Sequence, residues 1–247
     1  MGEETMLEQA LAGTVLDRGQ RASHQVYDLL RKAIVSLRLE PNQPISEQEV
    51  ASVLSLSRTP VREAFIRLAE EGLLISYPQL ATVISPIRMD AIFEAQFLRE
   101  AVESAIAERA AENIDAIGTA RLEGAYEAHR IAWEAGNWSE FYHWDEMTHQ
   151  IVAEIAGLTG VFKHLEPARA QLDRMRHVVL PERDTAIRVI NQHREFITAI
   201  CEGRGEQARA AMARHTRDIL TRLPDLRQRR PELFEERPVM RSSTARR

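Results

Sequence analysis

The sequence predicts a mainly α-helical chain in two parts. A small N-terminal unit of three helices with a two-stranded β-hairpin is followed by an antiparallel bundle of about six helices. Three observations lead there. Apolar residues recur at three- and four-residue steps over most of the chain. Strand-like runs are confined to the stretch between Gly72 and Ile84. A short linker, Ser85-Pro86-Ile87, divides 247 residues into two stretches that can each bury a core.

The elements follow in order. Residues 1 to 20 lack sustained periodicity, and a mobile arm is expected there. Val26, Leu29, Leu30, Ala33, Ile34 and Leu37 mark one face of an amphipathic helix, which Pro41-Asn42-Gln43-Pro44 ends in a turn. Ser46 and Glu49 have the spacing of a capping box, opening a short helix that buries Val50, Val53 and Leu54. Leu56 lies in a tight turn, and a third helix begins at about Ser57. Ser57 or Thr59 can cap it, and Pro60 in its first turn loses no helical hydrogen bond.

Val61, Phe65 and Leu68 turn inward, while Arg58 and Arg62, four apart, leave from one face. Gly72 ends this helix. Leu73-Leu74-Ile75-Ser76-Tyr77 and Thr82-Val83-Ile84 then flank Pro78-Gln79-Leu80-Ala81 as two short strands. Residues 21–87 thus form a winged helix-turn-helix. Paired arginines at the N-terminal end of its anchored last helix suit a DNA major groove. Taken alone, the segment fits an ordinary solvated helix surface equally well.

From residue 88 to about 224 the pattern is helical, interrupted near Asn113, Gly136, Gly157, Pro181 and Gly203. Phe93, Phe97, Val102, Ile106 and Ala110 form the expected inward stripe of the first bundle helix. Trp133, Trp138, Phe141, Tyr142 and Trp144 gather at one helix junction, as core or dimer surface. The tail, residues 225–247, is rich in arginine and proline; it is expected to be disordered and to add at most nonspecific attraction for DNA.

Hydrophobic residues make up 44% of the chain and charged residues 28%, as in a globular protein. No apolar run reaches membrane-spanning length, so no membrane partner is expected. The one cysteine, Cys201, excludes an intrachain disulfide and suits the cytoplasm. A net charge of −5 argues against bulk attraction for nucleic acid. Residues 21–77 hold seven basic and seven acidic side chains, so any DNA contact must come from the placement of charge.

Asp145 and His149, four apart on one helix, project from a common face, and His193 and His215 lie on later helices. One carboxylate and three imidazoles suit a divalent ion such as Zn, Ni or Mn. The chain has eight histidines, and spacing alone leaves the choice open among these and His24, His129, His143, His164 and His177.

Two resemblances bear on these readings. Pro44-Ile45-Ser46-Glu47-Gln48-Glu49-Val50-Ala51, then Leu56-Ser57-Arg58-Thr59-Pro60-Val61-Arg62-Glu63-Ala64, resembles the signature of GntR-type bacterial transcription regulators. The likeness spans residues 25–87. It implies that Ser57, Arg58, Thr59 and Arg62 meet bases and phosphates, and that Gln48 lies against the backbone. The chain departs from that pattern at Leu80 and Ala81, where the wing usually carries a basic residue and a glycine.

Leu98 to Glu103, Phe141 to His149, His193 to Ile200 and Ala211 to His215 resemble the FCD effector domain of the FadR-like subgroup, over about residues 90–222. That resemblance implies Asp145, His149, His193 and His215 as ligands of a divalent metal, Zn or Ni first among the candidates. It also implies Arg99 as a contact for a small carboxylate effector; an ion pair with Glu103 is the alternative. The expected function is a ligand-responsive DNA-binding regulator, a repressor by family habit, acting as a homodimer on double-stranded operator DNA. A metal-dependent hydrolase or lyase with an appended binding module is the competing reading. Against it, no nucleophile motif stands out, and the nearest spare carboxylate is Glu146.

Overall fold

The structure, a computed structural model, describes residues 5–11 and 13–235. The chain is mainly helical, with a small antiparallel sheet in its N-terminal part and a helical bundle beyond it.

The N-terminal unit contains α1 (Met6–Leu11), α2 (Ala22–Val35), α3 (Glu47–Val53) and α4 (Arg58–Glu70). Val26, Leu30, Ala33 and Ile34 of α2 meet Val61, Ala64, Phe65 and Leu68 of α4 in one buried cluster. The capping box at the start of α3 is formed: Glu49 N–H donates to Ser46 Oγ at 3.1 Å, and Ser46 N–H donates to a Glu49 carboxylate oxygen at 3.1 Å. Ser57 occupies the N-cap position of α4, in extended backbone. Helix α4 ends as expected at Gly72, whose φ of +69° is the left-handed conformation that favours glycine. Gly72 N–H donates to Ala69 O and Leu73 N–H to Leu68 O, closing a Schellman motif over the buried Leu68 and Leu73.

Strands β2 (Leu74–Tyr77) and β3 (Ala81–Ile84) make the expected hairpin, with Leu80 exposed at its tip. A third strand, β1 (Pro44–Ile45), pairs with β3 where only a turn was expected; the order is β1-β3-β2. Two residues are too few for alternation to show, and Pro44 lacks an N–H, so only an edge position is open to it.

The C-terminal unit comprises α5 (Met89–Asn113), α6 (Ala116–Glu134), α7 (Trp138–Ile155), the short α8 (Thr159–Lys163), α9 (Glu166–Val179), α10 (Arg183–Cys201), α11 (Gly205–Asp218) and α12 (Leu223–Arg229). Six of these are long, the number expected. The inward face of α5 is the one expected at Ile106 and Ala110 but not in its first turns. Phe93 and Phe97 are exposed, and Ile92, Gln96, Arg99, Glu103, Ile106 and Ala110 point into the bundle. Arg99 and Glu103 are buried because this face packs against the cluster of Asp145, His149, His193 and His215.

Two terminal expectations are corrected. Within the arm, Leu7, Ala10 and Leu11 of α1 are buried in the N-terminal core, and Arg38 donates to Ala10 O at 2.7 Å. Residues 1–4 and 12 lie outside the described residues. In the tail, α12 continues into a 3-10 turn (Pro231–Leu233), and Leu233 and Phe234 are buried. Ile87 N–H donates to Leu233 O at 2.8 Å and Glu235 N–H to Ile87 O at 3.1 Å, so the tail straps the interdomain linker. Residues 236–247, which carry four of the tail's arginines, lie outside the described residues.

The two units meet at α9. Ala170 is buried in the N-terminal core, Gln171 Nε2 donates to Gly72 O at 3.0 Å, and Arg31 donates to Glu166 O at 2.7 Å.

Candidate metal centre and nucleic-acid interface

Helix α7 brings Asp145 and His149 to one face, α10 contributes His193 and α11 contributes His215. All four side chains are buried, and one ligand atom from each lies within 4.8 Å of the others. His149 Nε2 and His215 Nε2 are 3.1 Å apart, and His193 Nε2 is 3.3 Å from Asp145 Oδ1. Ligand atoms bonded to one Zn at about 2.0–2.2 Å sit at comparable separations from each other.

The outer atoms of these groups sort the lone pairs. His149 Nδ1 lies 2.8 Å from Glu103 Oε2, and His215 Nδ1 lies 3.2 Å from Gln192 Oε1. Both neighbours are acceptors and favour protons on Nδ1, leaving two unprotonated Nε2 atoms turned towards each other, with the Arg99 guanidinium beside that of His149. Two facing lone pairs in a dry interior repel unless a cation or donor lies between them. Asp145 Oδ1 and both ring nitrogens of His193 have no hydrogen-bond partner among the described residues. The donor set therefore fits a divalent ion.

Charge states agree. Burial pushes His193 down to about 4 and holds His215 well below its ordinary value, so both rings are neutral and able to ligate. Burial would raise Asp145, but the Arg176 guanidinium paired with Oδ2 and the nearby imidazoles outweigh it. Its carboxyl is held well below the usual range.

Arg99, 2% exposed, forms the ion pair with Glu103 that was the alternative to effector contact. Its Nε donates to Glu103 Oε1 at 2.8 Å, and one Nη lies 3.2 Å from His149 Nε2. It lines a small, partly open cavity with Asp145, Arg176, Thr185, Gln192 and His215. Glu146 is turned away, paired with Arg169 at 2.5 Å.

Sequence reading missed the ring of groups behind the ligands. Arg176 pairs with Asp145 and, at 3.1 Å, with Asp173; Arg169 lies 3.8 Å from Glu103. A signal existed: Arg169, Asp173 and Arg176 fall at i, i+4 and i+7, a charged stripe on one face of α9. His129, counted as a bystander, is buried with its ring centroid 4.8 Å from that of His193.

At the other end of the molecule, Gln48 on α3 and Ser57, Arg58, Thr59 and Arg62 at the start of α4 are all exposed. Arg58 reaches Glu47 at 3.3 Å, an acidic neighbour that sequence reading passed over.

Residues 22–84 match the family described as bacterial regulatory proteins, gntR family, and residues 92–218 match the FCD domain. The chain belongs to the GntR family of transcriptional regulators, with an FCD domain. It is therefore a regulator and not the enzyme of the competing reading. It is 32% identical over 223 residues to the HTH-type transcriptional repressor RspR of Escherichia coli (strain K12), covering 90% of this chain and 98% of that protein. A probable D-xylose utilization operon transcriptional repressor of Paenarthrobacter nicotinovorans is 31% identical over 194 residues, covering 77% and 84%. In fold, this GntR-family chain is similar to E. coli McbR/YncC, with a TM-score of 0.71 at 19% identity over 83% of this chain and 97% of that one. A putative transcriptional regulator GntR from Rhodococcus sp. RHA1 gives 0.66 at 20% identity, covering 83% and 99%. Among the described residues no helix is long and apolar enough to cross a membrane.

Proposed function

We propose that this GntR-family regulator is a cytoplasmic, homodimeric repressor whose bundle binds a divalent ion and a small carboxylate that alters operator binding. The observation that carries this reading is the convergence of four buried ligand atoms within 4.8 Å, two of them imidazole nitrogens 3.1 Å apart. Asp145, His149, His193 and His215 are the ligands, and Zn or Ni suits their nitrogen and oxygen character. A bound ion would supply positive charge and open coordination positions for an acid. Arg99 then offers a guanidinium to clamp the same carboxylate, leaving its contact with His149 as it does so.

A route to the DNA-binding end runs through α9. Arg176 holds Asp145 at the centre, while Gln171 on the same helix holds Gly72 O at the end of α4. An effector that shifts α9 would therefore move the helix carrying Arg58 and Arg62. Its effect on the operator can be no larger than its difference in affinity between the two arrangements. Gln48, Ser57, Arg58, Thr59 and Arg62 make the DNA contacts in this reading, with two copies of the domain on successive half-sites.

Two measurements test it. Fluorescence anisotropy with DNA from the regulator's own upstream region should give specific binding that Arg58→Ala with Arg62→Ala abolishes; affinity equal to that for random DNA at moderate salt would refute the DNA reading. Elemental analysis of purified protein should find one divalent ion per chain, lost in His193→Ala. Equal metal content in the two would refute the ligand set.

A further inference from the structure

Three of the four ligands have a charged or polar group close beside their outer atoms. Asp145 Oδ2 is paired with Arg176, His149 Nδ1 faces Glu103, and His215 Nδ1 faces Gln192. The fourth does not follow the pattern: His193 Nδ1 has no hydrogen-bond partner among the described residues, and its contact with a carboxylate is through Nε2 alone. The polar side chain stacked beside it is His129 of α6. Its ring centroid is 4.8 Å from that of His193, at an interplanar angle of 60°. His129 is 0% exposed, and both its ring nitrogens lack a partner among the described residues. Its other face rests on Phe141, with centroids 4.3 Å apart.

Bare nitrogens on two touching, buried imidazoles are costly to leave unpaired. A histidine placed only to fill space would be bettered by an aliphatic or aromatic residue of similar size. A ligating histidine, by contrast, nearly always donates its second ring N–H to an acceptor that fixes its tautomer and orientation. We infer that His129 is the positioning residue for His193: a bare His129 nitrogen accepts the Nδ1 proton of His193 and so directs the His193 Nε2 lone pair to the metal. At the present tilt of the two rings that bond is not made, and the rings must reorient to form it. His129 does not itself ligate; the converging ligand atoms are those of Asp145, His149, His193 and His215. This assignment rests on the metal centre proposed above.

The test uses full-length protein stripped with EDTA, with Zn2+ affinity measured by competition against a chromophoric chelator. His129→Phe keeps the ring contact with Phe141 and removes the acceptor. It is expected to weaken Zn2+ binding by about 10- to 100-fold, the usual loss when such an outer partner goes. The melting temperature of the metal-free protein should stay the same or rise. His129→Gln, which restores an acceptor, should recover much of the affinity. X-ray absorption of the wild-type Zn2+ form should count three histidine nitrogens.

If His129→Phe binds Zn2+ as tightly as the wild type, the assignment falls and the metal centre stands. Equal weakening in the Phe and Gln variants with a lowered metal-free melting temperature would reduce His129 to packing. Four histidine nitrogens would make it a ligand, and overturn the assignment from the other side. A wild type that takes up no Zn2+ would refute the centre and this assignment together.

Discussion

Replacing Arg176 with methionine tests the electrostatic frame of the centre. Asp145 is 1% exposed and its Oδ2 is paired with Arg176; the same guanidinium holds Asp173 at 3.1 Å. The methionine side chain fills much of the space but brings no charge. Asp145 would then keep only His193 Nε2, 3.3 Å away and uncharged at neutral pH. Removing one partner of a buried pair costs about 3–5 kcal/mol, because the remaining charge stays desolvated. That is a large share of a domain stability of roughly 5–15 kcal/mol.

Denaturant titration of EDTA-stripped protein at pH 7, followed by circular dichroism, measures the loss. Adding Asp145→Asn to Arg176→Met should recover much of it, since no unpaired carboxylate then remains at that position. Zn2+ should stabilise Arg176→Met more than it stabilises the wild type, by neutralising the stranded Asp145. A loss below about 1 kcal/mol, or simple addition of the two single-variant losses, would refute the view that this pair compensates a buried charge.

The remaining predictions follow from the same structure. Burial pushes His129 down to about 3 and His193 to about 4. Between about pH 6.5 and 4 the unfolded chain takes up protons on these rings that the folded chain refuses. Metal-free stability should therefore be full above pH 6.5 and fall by several kcal/mol towards pH 4; urea midpoints at pH 7.5 and 4.5 that coincide would contradict this. Leu80→Lys puts a cation on the exposed wing tip and should steepen the salt dependence of DNA binding by about one phosphate contact; an unchanged slope would mean the wing tip stays clear of DNA. Truncation after Arg230 removes buried Leu233 and Phe234 and both hydrogen bonds to Ile87. It should cost roughly 3–6 kcal/mol by calorimetry, and an unchanged melting temperature would show that the strap adds nothing.

What the sequence disclosed tracks how local the causes are. The capping box at Ser46, the stop at Gly72 and the hairpin of β2 and β3 rest on neighbours in the chain, and each was legible. Asp145 and His149 were legible because four-residue spacing fixes a common face; His193 and His215 needed the likeness to FCD domains, since nothing local ties them to α7. The inward face of α5 was misread because weight was given to Phe93 and Phe97, while the bundle's interior is polar at that point. Arg176 and Arg169 were passed over because arginine on a helix is ordinarily solvated. The strap joining Ile87 to Leu233 could not be foreseen, as it pairs residues on either side of the FCD match, one of them beside an arginine-rich stretch.

That strap also sets an order of events during synthesis. The winged domain has all its own core residues by Ala170 and is joined to α9 there, whereas the bonds that fasten Ile87 come from Leu233 and Glu235, which are made later. A nascent chain can therefore seat its DNA-binding head on α9 before the linker beneath it is strapped down.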